Sequence, residues 1–75
     1  MPETIGQRIK KARNAAGLTV RGLAELALGG EHNARQISVW ETGKVMPSIP
    51  SLVKIAPHLN TSVAELIGES HGSAA

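Results

Sequence analysis

The sequence predicts an all-α fold, a compact five-helix domain with a helix-turn-helix formed by the second and third helices. Three observations carry that prediction. Apolar residues recur at helical spacing along the chain, and strand-like alternation survives nowhere. Good capping residues and glycines bracket each periodic segment. Trp40 is the only aromatic residue, so the core must come from Leu, Ile, Val and Ala, which suits closely packed helices better than a β-sandwich.

The first helix opens at Thr4, where Thr4-Ile5-Gly6-Gln7 has the spacing of a capping box. Ile5, Ile9, Ala12 and Ala16 then repeat with helical spacing, and Gly17 closes the helix. A second helix starts after the N-cap Thr19, carries Leu23, Ala24, Leu26 and Ala27, and stops at Gly29-Gly30. Asn33, with Gln36 three residues on, is expected to cap a third helix that runs to about Thr42, with Gly43 as its stop. Within it Ile37 and Trp40 turn toward the core, while Arg35, Gln36, Ser38, Val39 and Thr42 point outward.

Pro47 and the cap Ser48 lead into a fourth helix, whose apolar stripe is Ile49, Leu52, Ile55, Ala56 and Leu59. Pro50 is tolerated in its first turn, where its missing N–H would have no partner; Pro57 should kink or end the helix. Ser62-Val63-Ala64-Glu65 is a second capping box and opens a fifth helix with Val63, Leu66 and Ile67. The expected domain is residues 1–67, followed by a disordered tail over 68–75.

Composition narrows the function. A chain of 75 residues is one domain, near the lower limit for a core without staples. The absence of cysteine removes disulfides and thiolate metal sites. His32, His58 and His71 are too scattered for a metal site, and no serine has a base and acid in a recognised arrangement. Neither an enzyme nor a cofactor is expected. No apolar run reaches the length of a membrane span and no signal peptide is evident, so the expectation is a cytoplasmic protein with no membrane partner. The formal charge is +2 and the pI near 9.5, which permits a nucleic-acid partner. Seven of the eight cations lie within residues 8–44, so the two halves differ electrostatically.

Two consecutive helices joined by a glycine-containing turn, the second polar on its outer face, make a helix-turn-helix unit. An α-helix fits the major groove of B-DNA, where each base pair shows its own pattern of donors, acceptors and methyl groups. Arg35 could fork onto a guanine, and Gln36 or Ser38 could reach phosphate or base. Val39, four residues after Arg35, could meet a thymine methyl. The helix starts near Thr19 and Asn33 offer N–H groups to phosphate, and Arg21 and Lys44 add charge. Plainer readings exist for each. Arg35 and Lys44 could be solvated charges, Gln36 half of a capping box, and Val39 a contact within the protein. Trp40 reads as core rather than a stacking platform.

The ordered set IGQRIKKARNAAGLT, LAEL at 23–26, ISVWETGKVMPS at 37–48 and SLVKIAPHLNTSVAEL at 51–66 resembles the phage-repressor-like (Xre/Cro) helix-turn-helix DNA-binding domains. The resemblance covers residues 4–67. It implies that the second and third helices form the reading unit, with Ala34, Arg35 and Val39 facing bases and Asn33, Gln36, Thr42 and Lys44 near phosphates. It also implies that Arg13 and Glu41 match a pair that bridges the first and third helices in some members. Two departures stand out. The turn over Leu28 to His32 is longer than the family's, so Glu31 and His32 are expected in a small protruding loop. Val20 stands where many relatives carry a phosphate-binding glutamine, a role that Arg21 could take over.

The expected function is a sequence-specific regulator of transcription that binds double-stranded DNA, with bacterial or phage origin. With no second domain in the chain, repression by occluding a promoter is the expected output, although the chain could be one domain of a longer protein. The fifth helix, through Val63, Leu66 and Ile67, is the candidate homodimer interface; these residues could instead close the core. Two reading helices about 34 Å apart would address two half-sites. The alternatives are an antitoxin with a toxin partner, a phage or plasmid maintenance regulator, and a protein-interaction module without DNA binding.

Overall fold

A hydroxyl that accepts a free backbone amide sets the start of four of the helices. In the computed structural model, which describes residues 4–68, Thr4 Oγ1 accepts from the Gln7 amide at 3.1 Å, and Gln7 Oε1 accepts from the Thr4 amide at 2.9 Å. Helix α1 (Ile5–Ala15) follows. Thr19 Oγ1 accepts from the Gly22 amide at 2.9 Å and opens α2 (Val20–Ala27). Ser48 does the same for α4 (Ile49–Ile55), and Ser62 forms the second capping box, with Glu65, ahead of α5 (Val63–Ile67). Each bond satisfies an amide that the helix itself leaves without a partner.

Helix α3 (Ala34–Glu41) starts differently, and here two sequence expectations are corrected. Asn33 makes no side-chain capping bond, and the box with Gln36 does not form. The residues expected to protrude as a loop are wound into a single 3₁₀ turn, Glu31–Asn33, that runs directly into α3. Asn33 therefore has near-helical backbone (φ −90°, ψ 4°), unlike the extended backbone of a capping residue. Its side-chain amide turns back and donates to the Leu28 carbonyl at 2.7 Å, at the C-terminal end of α2. The long connection is thereby stitched to the helix before it.

Glycines end the helices where the chain must reverse hand. Gly17 and Gly29 have φ of +74° and +86°, which side-chain-bearing residues rarely adopt. At the far end of α4, Pro57 lacks the N–H that would continue the ladder, and the chain tightens into a 3₁₀ turn over Ala56–Leu59.

One core cluster unites these elements: Ile9, Leu23, Ala24, Ile37, Trp40, Leu52, Ile55, Ala56, Leu59 and Leu66. Three expectations about apolar residues are corrected. Leu26 and Ile49 are each 56% exposed. Leu26 lies to one side of the row that α2 buries through Leu23 and Ala24, and Ile49 sits ahead of the inward stripe of α4. Leu66 is 1% exposed; it closes the core and is not available to a dimer interface. Val63 and Ile67 are partly buried against the same cluster. Gly68 caps α5 with φ of +86°. The tail expected to be disordered lies, from residue 69, outside the described residues, as does His71.

Helices α1 and α3 approach each other closely enough for backbone to meet backbone. Gly6 is buried, and a Cβ on it would overlap the Trp40 carbonyl oxygen and meet that of Glu41 at 2.8 Å. Backbone, not a flexible side chain, occupies that space, so Gly6→Ala should force the helices apart and cost about 1–3 kcal/mol in a urea melt. Trp40, 2% exposed, should cost roughly 3–5 kcal/mol as Trp40→Ala. A wild-type midpoint for either variant would contradict this packing.

Candidate nucleic-acid interface

Helix α3 has two faces of opposite chemistry. Ile37 and Trp40 are buried, whereas Arg35, Gln36, Ser38 and Thr42 are exposed and Ala34 is half-buried. A helix turns 100° per residue, so anchoring positions 37 and 40 in the core sends 35, 36, 38 and 42 toward solvent. Val39 departs from its expectation. It is half-buried and packs against the core cluster, and the chain after Gly43 folds back onto its backbone. The Lys44 and Val45 amides donate to the Val39 carbonyl at 3.1 and 3.4 Å.

This fold-back shapes the outer surface. Arg35, Gln36 and Val39 share a depression of about 350 Å³ with His32, Asn33 and Val45. His32 and Val45 are members that sequence reasoning missed. His32 is there because the 3₁₀ turn stacks under the start of α3, and Val45 because of its bond to the Val39 carbonyl. The one signal in the sequence was Gly43, whose φ of +83° permits the reversal.

The residues proposed for phosphate differ in what they can still donate. Thr19 accepts from the Gly22 amide, which leaves its own proton for another acceptor. One amide hydrogen of Asn33 goes to Leu28; an asparagine has two. Thr42 donates its only hydroxyl proton to the Ser38 and Val39 carbonyls, at 3.1 and 3.2 Å, so a phosphate contact from it requires leaving them. Arg21 lies 3.7 Å from Glu31, with both side chains well exposed, a weak pair in water. Lys44 is exposed just past Gly43.

What holds α3 in place is the Arg13–Glu41 pair. Arg13 Nε donates to Glu41 Oε2 at 2.7 Å and its Nη2 to Oε1 at 3.1 Å, a bidentate geometry. The third arm, Nη1, donates to the Leu18 carbonyl at 2.8 Å. The side chains are only 10% and 7% exposed. Hydrogen bonding to Glu41 raises the guanidinium pKa above its ordinary value, against the opposing effect of burial. A raised pKa contributes stability that is lost only as pH climbs through it, so the Arg13 guanidinium keeps its charge in neutral and alkaline solution alike.

Among the described residues no cluster of His, Asp and Glu could hold a metal ion, and no helix is long and apolar enough to cross a membrane. A family model described as helix-turn-helix matches residues 9–66. No curated protein and no solved structure matches the chain.

Removing one member of the buried pair strands the other. Glu41→Ala or Arg13→Ala should each cost about 3–5 kcal/mol in chemical denaturation. The double variant Arg13→Met with Glu41→Leu should be more stable than either single one, since no lone charge stays buried. A double variant as unstable as the singles would mean that the bond to Leu18 matters more than the ion pair.

Proposed function

The chain belongs to the phage-repressor-like helix-turn-helix family of DNA-binding regulators of transcription, and from that premise we propose that it is a repressor that lays α3 in the major groove of an operator. The observation that carries this reading is the division of α3 into a core face fixed by Ile37 and Trp40 and an open face of Arg35, Gln36 and Ser38. A rigid helix with donors on its outer face matches the pattern of base edges in that groove.

In this reading Arg35 forks onto a guanine, Ser38 reaches a neighbouring base, and Ala34 and the exposed side of Val39 meet thymine methyls. Gln36, Lys44, Thr19, Asn33 and Arg21 bind phosphates. Thr42 is the weakest of the set, because its proton is engaged within the helix. A domain docked this way excludes other proteins from the same stretch of promoter, which supports repression. The protein would then act in the cytoplasm, on the nucleoid. Two copies reading half-sites about 34 Å apart would raise specificity; of Val63, Leu66 and Ile67, only Val63 and Ile67 keep exposed parts that could join such a dimer.

One observation favours a second reading. Val45, Met46, Ile49 and Val53 are each at least half exposed, and large apolar side chains close together in sequence suit a protein partner. A toxin bound by an antitoxin, or the target of an interaction module, would fit there. Salt separates the readings, since binding through phosphates weakens steeply as salt rises.

Selection from a random duplex pool, with the bound fraction sequenced, should yield a motif. Arg35→Ala should cost roughly 1–3 kcal/mol on the best site and relax the preference at one base pair. Lys44→Ala should weaken all sequences about equally and lower the salt slope by about one. An unchanged motif for Arg35→Ala, or an altered one for Lys44→Ala, would overturn these assignments.

A further inference from the structure

Beside the start of α3, on the edge shared with α4, lies a second depression of about 230 Å³, lined by Asn33, Gln36, Ser51 and Lys54 with Leu28 and Trp40. We infer that this depression holds one phosphodiester of the bound strand, with Lys54 as its ionic partner. The inference rests on the DNA-binding reading above and adds a contact from α4, which the sequence motifs do not mark.

The lining is a set of donors from two helices. Gln36 contributes a side-chain amide. Asn33 has a second amide hydrogen beyond the one given to Leu28. Ser51 Oγ lies 3.0 Å from Ser48 Oγ; when Ser48 donates in that pair, the Ser51 proton is left for a ligand. Lys54 stands three residues beyond Ser51 and so on the same face of α4. No carboxylate lines the space. Among the described residues Lys54 takes part in neither of the ion pairs, which join Arg13 to Glu41 and Arg21 to Glu31.

A positive charge among neutral donors, with no acid in the lining, selects an anion carrying several acceptor oxygens. Position selects which anion. Gln36 belongs to both depressions, one on the open face of α3 and one toward α4. A strand running along the rim of the groove that α3 enters must pass that flank. Lys54 is the only cation after Lys44 in the sequence, and this placement gives it a role at the interface. Its plain alternative is a solvated lysine in the last turn of α4, where a cation is favoured in any case.

The test uses the full chain and the duplex obtained by selection. Lys54→Ala should keep the wild-type melting midpoint and the selected sequence, and lower the salt slope of binding by about one. Lys54→Gln should behave the same way, and Lys54→Arg should restore the slope. Single methylphosphonate substitutions, walked along both strands, should reveal one phosphate whose neutralisation weakens the wild type but not Lys54→Ala. A wild-type slope in Lys54→Ala, or a methylphosphonate profile identical in both proteins, would overturn the contact while leaving the DNA-binding reading intact. Wild-type binding that ignores salt would remove that reading and this contact together.

Discussion

The position of α3 depends on how closely α1 can approach it. At one end of the crossing Gly6 lets the two backbones touch where any side chain would intrude. At the other, Arg13 grips both oxygens of Glu41 and, with its third arm, the carbonyl of Leu18 in the turn that leads to α2. One guanidinium thus joins α1, the entry to α2 and the end of α3. A glycine contact limits distance but not rotation, whereas a bidentate pair limits both. Together they fix the tilt and the roll of the helix that carries the candidate interface.

Inside that frame the surface of α3 is a by-product of its core. Ile37 and Trp40 occupy buried positions three apart, and the helical period assigns every other side chain its direction. The chain beyond Gly43 then bonds back to the Val39 carbonyl, and the 3₁₀ turn before Ala34 extends the opposite end. The open face is left to Arg35, Gln36 and Ser38.

Much of the fold was legible because its signals are local. The hydroxyls of Thr4, Thr19, Ser48 and Ser62 and the stops at Gly17, Gly29 and Gly43 act within a few residues of themselves, so spacing alone locates them. Asn33 has the same chemistry as those caps yet serves the preceding helix, because the Leu28 carbonyl lies within reach only once the long connection has coiled. Leu66 and Ile49 are both apolar at helical spacing; which one is buried depends on where α1 and α2 already stand. Within the candidate site, the directions of Arg35, Gln36 and Ser38 followed from the period of α3. The two depressions did not, since His32, Val45, Ser51 and Lys54 come from other parts of the chain, brought there by tertiary packing.

Trp40 has a further consequence. The chain has one tryptophan and no tyrosine, so its ultraviolet emission comes from a single indole, and that indole sits beneath the candidate reading helix at 2% exposure. Emission colour therefore reports directly on the seating of α3. A local loosening of that helix would shift the spectrum even if the other four helices kept their shape. The protein carries its own optical probe at the element whose placement matters most.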